Sequence, residues 1–251
     1  MLRVGDRVRV SELADRYGVS EVTIRSDLET LEQRKVITRV RGGAIRIPAG
    51  ASAAADTLHS EFARGLELDV DAKRAVARAA AARVEDGDAI ALDSSVLSYF
   101  LAQELVNTRA GLVVVTNGLR TAYRLLQKES FQVLVPGGSL SRMSESIDGD
   151  MTTLLGEQRL RSGFFSGASI SASAGTMEMD RSEALAKRAL AQMCDHVILM
   201  IDSATADAFG MHPAIAPEDA TVAIGDTDLA PALATSLRER SLEVELVPPT
   251  P

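Results

Sequence analysis

Apolar runs and amphipathic stretches alternate along the chain beyond residue 70. The helix-like stretches are AKRAVARAAAARV, VLSYFLAQEL, LRTAYRLLQK, RSEALAKRALAQM and LAPALATSLRER. The strand-like runs are AIALDS, LVVVTN, FQVLVPGG, GFFSGASIS, HVILMID, TVAIGD and LEVELV. Strands that are apolar on both faces and separated by helices indicate an α/β domain with a mostly parallel sheet.

Two short helices joined at Gly18 and Val19 are predicted near the N-terminus. The first, VSELADRYG, has Ser11 as its N-cap, Gly18 just past its end, and apolar positions at Leu13, Ala14 and Tyr17. The second begins at Ser20 and turns an apolar stripe inward at Ile24, Leu28 and Leu31. This order predicts a helix-turn-helix, whose second helix enters the major groove of DNA.

The exposed side of the second helix and the segment after it carry the side chains expected to contact DNA. Arg reaches a guanine edge or a phosphate, Ser and Thr bond to either, and an exposed Val meets a thymine methyl. The stretch KVITRVRGGAIRI predicts a hairpin with a basic tip, which is a wing. The predicted DNA-binding residues are Ser11, Ser20, Val22, Thr23, Arg25, Ser26, Arg39, Arg41, Gly42 and Gly43.

The charge of the chain is divided between two regions. Residues 1–48 hold ten basic and seven acidic residues, a net of +3, whereas the remainder holds 17 basic and 28 acidic residues, a net of -11. The small basic region suits phosphates although the whole chain is at -8. We therefore expect a DNA-binding domain over 1–48, a linker over 49–70, and an α/β domain for effector sensing and oligomerisation over 71–251.

Composition excludes several other classes of protein. No apolar run approaches a membrane span and the N-terminus has no signal-peptide core, so the expected location is cytoplasmic. The one cysteine, Cys194, cannot form an internal disulfide and is expected to be a buried small hydrophobe. The three histidines, His59, His196 and His212, lack ligand spacing, so neither a metal nor another cofactor is expected.

Polar or glycine-rich loops follow successive predicted strands. They are LDSS at 92–95, TNG at 116–118, PGGS at 136–139, SGAS at 166–169 and IDSA at 201–204. In parallel sheets ligands bind beyond the carboxyl ends of the strands. The positive end of a helix starting near Val96 would face the same crevice, which would suit an anion such as a phosphate.

The stretch VRVSELADRYGVSEVTIRSDLETLEQRKVITRVRGGA, followed by EDGDAIALDSS, LVVVTNGL, VPGGSL and GASIS, resembles the DeoR family of bacterial transcriptional regulators. The resemblance implies a winged helix-turn-helix and a sensor domain related in fold to ribose-phosphate isomerases and CoA transferases. It also implies a homo-oligomeric repressor of a sugar-catabolic operon that binds operator DNA and a phosphorylated sugar. The residues that match the family pattern at the effector site are Asp93, Ser94, Asn117, Gly137, Gly138, Ser169 and Lys187. Ser95 does not match the pattern but is also predicted to bind the effector.

The chain departs from the family pattern at several points. Ser26 replaces an Arg of the reading helix, the first helix is truncated unless the start lies upstream, and DSSVL at 93–97 replaces Asp-Ser-Gly-Thr-Thr. The Lys that commonly follows the later Asp-Ser is absent, because ATADAFG follows Ser203. We therefore expect sugar phosphates to bind weakly or not at all, and the ligand to be a free sugar, a polyol or a larger metabolite, or else the site to be empty. The competing interpretation is that Ser94, Ser95, Asn117 and the glycine loops still suffice for phosphate.

Two alternatives remain open from the sequence. One is a regulator with a degenerate sensor that no longer binds a sugar phosphate. The other is an isomerase or CoA transferase on the sensor fold, although the missing anion-binding residues argue against catalysis. Glu183 and Lys187, four residues apart, fit a solvated helix pair as well as they fit a ligand site.

Overall fold

The structure is a computed structural model that divides into two compact units, Met1–His59 and Ser60–Pro251. It describes residues 7–20, 22–24, 28, 37–40, 43–46, 61–150, 153, 156, 158–206 and 208–249. Each unit has a hydrophobic core of its own. Within the part of the chain that the structure describes, no helix is long and apolar enough to cross a membrane.

The N-terminal unit contains the predicted hairpin. Its elements are strand β1 (Arg7–Arg9), helix α1 (Val10–Tyr17), and strands β2 (Ile37–Val40) and β3 (Gly43–Arg46). Strands β2 and β3 pair antiparallel with Val40 opposite Gly43, and β1 adds to the other side of β3. The prediction of a wing is confirmed for its two strands, whereas the tip at 41–42 lies outside the described residues.

The helix-turn-helix core forms as the apolar spacing predicts, with two differences. Val10, Ala14, Ile24 and Leu28 are buried together, and Gly18 has the left-handed φ of 65° that a glycine adopts without strain. Helix α1 begins at Val10, so Ser11 lies inside the helix and is not its N-cap. Tyr17, one of the apolar positions of the predicted first helix, is exposed, whereas Ala14 is buried.

The C-terminal unit alternates helices and strands as predicted. Its helices are α2 (Glu61–Gly65), α3 (Val70–Ala81), α4 (Val96–Thr108), α5 (Leu119–Leu125), α6 (Arg181–Gln192) and α7 (Pro231–Glu239). Its strands are β4 (Ala89–Leu92), β5 (Val113–Thr116), β6 (Gln132–Leu134), β7 (Ser139–Ser141), β8 (Ser146–Asp148), β9 (Leu160–Phe165), β10 (Ser169–Ser171), β11 (Gly175–Glu178), β12 (Cys194–Ile201), β13 (His212–Ile215), β14 (Val222–Asp226) and β15 (Glu243–Val247).

Seven of these strands form one sheet in the order β15-β14-β12-β9-β4-β5-β6. Every neighbouring pair is parallel, which confirms the predicted α/β class. Alternate residues of a strand enter opposite cores: Leu199 packs in one, and Ile198 and Met200 pack in the other. Both faces of the central strands are therefore covered, which explains the continuously apolar runs of β4, β5 and the second half of β12. Cys194 is buried at the start of β12, as expected.

Two small sheets and one helix were not predicted. The run GFFSGASIS is split between β9 and β10, and β10 belongs to an antiparallel sheet in the order β10-β11-β13. Strands β7 and β8 form a separate hairpin. Residues 61–70, expected in the linker, instead form α2 and the start of α3, and Phe62 is buried.

Candidate functional site

The start of the DNA-reading helix has the expected geometry. The hydroxyl of Ser20 accepts a hydrogen bond from the backbone N–H of Thr23 at 3.1 Å and contacts the Thr23 hydroxyl at 2.8 Å, which confirms Ser20 as an N-cap. Val22 and Thr23 face solvent while Ile24 is buried. Arg25, Ser26, Arg41 and Gly42 lie outside the described residues, as do the side chains of Ser11 and Arg39. The DNA contacts themselves stay predictions.

The candidate effector site lies at the carboxyl ends of the parallel strands, with Asp93 at its base. Asp93 is fully buried at the end of β4, and its carboxylate accepts hydrogen bonds from the Ser95 N–H (2.9 Å), the Ser98 hydroxyl (2.6 Å) and the Ser166 N–H (2.8 Å). Burial alone would raise the pKa of Asp93, but the nearby Lys187 ammonium and these donors lower the pKa below its usual value. Asp93 is therefore an anion that holds together the loops after β4 and β9.

Lys187 of α6 is the cation of this network. Its ammonium lies 3.0 Å from a carboxylate oxygen of Asp93 and 2.5 Å from one of Glu178, and it donates to the Ser166 carbonyl at 2.6 Å. An ammonium has three donors, and these three acceptors match them. Lys187 is buried, so it does not form the solvated pair with Glu183 that the sequence also allowed. Its role as an effector ligand stays a prediction, and the geometry shows it bound to protein groups.

Glu178, at the end of β11, was missed by the sequence reasoning. Burial raises the pKa of this carboxyl, while the attraction of Lys187 opposes the rise. Nothing in the spacing of Glu178 and Lys187 along the chain marks them as partners, because they lie on a strand and a helix. The signal that was available is weak: a glutamate that ends an otherwise apolar and small stretch, GTME.

The altered loop, Ser94 to Val96, forms the N-terminus of α4. Ser95 is the N-cap, since its hydroxyl accepts from the Ser98 N–H at 3.2 Å. The side chain of Val96 is covered by α2: a Cβ built on Gly65 would lie only 2.7 Å from Val96 Cγ2. Two N–H groups of this turn, those of Ser95 and Ser98, are thus already bonded to side chains of the same loop.

Asn117 follows β5 and packs against the β7–β8 hairpin. Its carbonyl accepts from the Ile147 N–H at 2.8 Å, and the neighbouring Gly118 bridges to Ser146. Ser146 in turn donates from its hydroxyl to Glu183 at 3.4 Å. The side-chain oxygens of Asn117 and Thr121 are buried, and neither has a hydrogen-bond partner among the described residues. A buried acceptor of this kind needs a donor from water or from a ligand.

The remaining predicted effector residues lie in tightly packed backbone. A Cβ on Gly138 would lie 2.1 Å from the Asp148 carbonyl oxygen, so the approach of the chain at 148–149 requires this glycine whether or not a ligand also uses it. A Cβ on Gly137 would meet no atom within 4 Å, so packing does not require a glycine there. Ser169 is buried at the start of β10, with its hydroxyl beside Gly210. Their contact with an effector stays a prediction.

A second buried ion pair lies at the same edge of the sheet. Lys73 of α3 meets Asp202, at the end of β12, at 2.6 Å, and both side chains are buried. The family's usual lysine after Ser203 is absent, and the cation beside Asp202 comes instead from a helix 129 positions earlier in the chain. Among the described residues no group of three side chains could hold a metal ion.

A winged helix-turn-helix is followed by a parallel α/β unit that carries buried polar groups at the carboxyl ends of its strands. This combination defines a class of protein, the DNA-binding regulators with a ligand-sensing domain. A model of the DeoR-like helix-turn-helix domain matches residues 1–49, and a model of the DeoR C terminal sensor domain matches residues 68–227. The chain belongs to the DeoR family of transcriptional regulators.

Two curated relatives support the same assignment, whereas a solved structure shows only a weak likeness. The chain is 32% identical over 242 residues to the uncharacterized HTH-type transcriptional regulator YulB of Bacillus subtilis (strain 168), covering 96% of this chain and 91% of that protein. It is 31% identical over 196 residues to the glycerol-3-phosphate regulon repressor of Escherichia coli (strain K12), covering 78% and 75%. A ribose 5-phosphate isomerase A from Methanocaldococcus jannaschii aligns with 55% of each chain at a TM-score of 0.42 and 13% identity.

Proposed function

We propose that this protein is a cytoplasmic repressor of a carbohydrate-catabolic operon whose operator binding is controlled by a small metabolite. The family assignment and the regulon repressor among its relatives support repression. The buried, converging groups at the carboxyl ends of β4, β5 and β9 support a ligand site. We expect a homo-oligomer, which light scattering on the purified protein would test.

We further propose that the effector is an unphosphorylated sugar or polyol. The single observation that carries this proposal is the pairing of cations at the site. Lys187 is bound by Asp93 and Glu178, Lys73 is bound by Asp202, and Arg120 is bound by Glu145. A phosphate would have to displace a carboxylate from one of these cations, and it would add charge beside a surplus of carboxylates.

The polar groups that remain suit hydroxyls better than anions. The unpartnered Asn117 side-chain oxygen is an acceptor, which a sugar hydroxyl satisfies and a phosphate oxygen repels. At the start of α4, Val96 and Leu97 stand where the family has hydroxyl-bearing residues. Loss of two hydroxyl donors to an anion should cost about 1.5 to 3 kcal/mol each.

Calorimetry against paired compounds tests the proposed effector class. The pairs are glycerol with glycerol 3-phosphate, galactose with galactose 6-phosphate, and fructose with fructose 1-phosphate. We expect heat from at least one unphosphorylated member and little or none from its phosphorylated partner. Micromolar binding of a sugar phosphate, with the unphosphorylated partner silent, would overturn the proposed class.

The competing function is an enzyme on the sensor fold, of the isomerase or CoA-transferase type. The carboxylates that could act as general acid or base in such an enzyme, Asp93 and Glu178, are both ion-paired with Lys187. We therefore expect operator binding and no turnover of sugar phosphates. A gel shift with DNA fragments selected from the genome, set beside a turnover assay, separates the two functions and also identifies the operator.

A further inference from the structure

Residues 61–69, which we call the strap, lie across the candidate effector site. The Phe62 ring is buried and meets the Tyr99 ring edge-on with centroids 5.9 Å apart. The Arg120 guanidinium stands over the Phe62 ring at 5.6 Å from its centroid and is itself held by Glu145. Three residues further along, Gly65 packs directly on Val96.

The far end of the strap is fixed to the same edge of the sheet. The Lys73 ammonium that pairs with Asp202 also donates to the Leu68 carbonyl at 2.6 Å. Asp69, the last strap residue, has a left-handed φ of 46°, a conformation that costs a non-glycine residue free energy. The strap is thus attached to the first turns of α4 and α5 and, through Lys73, to the end of β12.

The sequence joins the strap to the DNA-binding unit. The compact N-terminal unit ends at His59, and the described part of the sensor unit begins with the strap helix at Glu61. Gly65 has no room for even one further carbon atom beside Val96. A ligand that approached Val96 from this side would therefore have to displace the strap.

We propose that the strap is the coupling element between the two units: docked on Val96, Tyr99 and Arg120 it sets one operator affinity, and displaced from them it sets another. The proposal rests on the proposed function, since it gives the effector site a route to the operator-binding unit. The strap would then exist in a docked and a displaced state, and both effector binding and operator binding would shift the equilibrium between these two states.

The docked strap can be fixed reversibly by an engineered disulfide, which we call the lock. A Cβ built on Gly65 lies 3.6 Å from Val96 Cβ, and disulfides have Cβ atoms about 3.5 to 4.5 Å apart. The double variant Gly65→Cys/Val96→Cys should therefore close a disulfide on oxidation and reopen on reduction. The native Cys194 does not compete, because it is buried and burial raises the pKa of its thiol to about 12.

The displaced state is produced by a larger side chain at the same position. Gly65→Leu forces the strap away from Val96, whereas Gly65→Ala/Val96→Ala adds and removes volume at one contact and serves as the matched control. Phe62→Ala, which removes the ring from Tyr99 and Arg120, displaces the strap independently should Gly65→Leu fail to fold. Folding of each full-length variant is checked by circular dichroism and thermal unfolding.

The experiment measures operator affinity without any ligand. We expect the oxidised lock and Gly65→Leu to differ by at least about fivefold, with the reduced double-cysteine protein and the alanine pair between them or equal to the parent. Equal affinities for the locked and displaced forms would overturn the coupling. Calorimetry of the reduced protein with the six compounds above tests the proposed effector class separately. If none of the six compounds gives binding heat, the proposed effector class is wrong, but the result for the strap still holds.

Discussion

Replacing Lys187 with Met tests whether the buried network of the sensor unit is held by one cation. Lys187 is the positive charge between Asp93 and Glu178, and all three side chains are almost wholly buried. Met has a similar length and no charge, so the change removes the ammonium and leaves most of the packing. What remains is two buried carboxylates that no longer have a cation between them.

The magnitude follows from the two contact distances. At an effective dielectric of 20, separations of 3.0 Å and 2.5 Å correspond to attractions of about 6 and 7 kcal/mol, most of which desolvation cancels. Breaking a buried pair by removing one partner costs about 3 to 5 kcal/mol. We expect Lys187→Met to lower the free energy of unfolding by about that amount at neutral pH.

The loss should depend on pH in a defined direction. In the parent, the pKa of Asp93 lies below its ordinary 3.8, so its stabilising contribution is present above that pH and is lost only as the pH falls through the lower folded value. Without Lys187, burial dominates and raises the folded pKa values of both Asp93 and Glu178. Groups with raised folded pKa values stabilise more as the pH falls, so the deficit should shrink between neutral pH and about pH 5.

Urea unfolding of the full chain at several pH values, followed by circular dichroism, measures this deficit. Lys128→Met is the matched control, because Lys128 is only half-buried and lies in the turn after α5. The double variant Lys187→Met/Glu178→Gln should recover part of the loss, since one buried carboxylate then remains with three donors from Ser95, Ser98 and Ser166. A deficit below about 1 kcal/mol, or one that does not change with pH, would refute the reasoning.

The other predictions concern DNA and the effector. Arg25→Ala should weaken operator binding by about 1 to 3 kcal/mol and relax the preference at one base pair, so a folded variant with unchanged affinity and preference in a gel shift contradicts the placement. Replacing Arg39 and Arg41 with Ala should lower affinity for all sequences and reduce the salt slope by about 1 to 2 units; lost selectivity at an unchanged slope would mean that the wing reads bases. Changing residues 95–97 to Gly-Thr-Thr should raise the affinity for sugar phosphates in calorimetry, and no gain would place the anion elsewhere.

The sequence by itself determined the features that depend on neighbours along the chain. The helix-turn-helix follows from Gly18 at a left-handed turn, Ser20 as an N-cap, and Ile24 and Leu28 one helical turn apart. The parallel sheet follows from continuous apolar runs between amphipathic helices, because a strand covered on both faces cannot carry polar residues in its middle. Both signals are local periodicities, and local periodicity is what a sequence displays directly.

Only the tertiary structure decided which side chains, distant along the chain, form buried ion pairs and ring contacts. The sequence allowed Lys187 to be a solvated partner of Glu183, four residues away. Only the packing of α6 against β11, β12 and β13 turns Lys187 inward to Asp93 and Glu178. Lys73 contacts Asp202, and Phe62 contacts Tyr99 from a segment that was expected in the linker. A charge that is buried away from water is costly unless an opposite charge or a hydrogen bond compensates for it. The topology of the sheet, and not the distance along the chain, decides which group supplies that compensation.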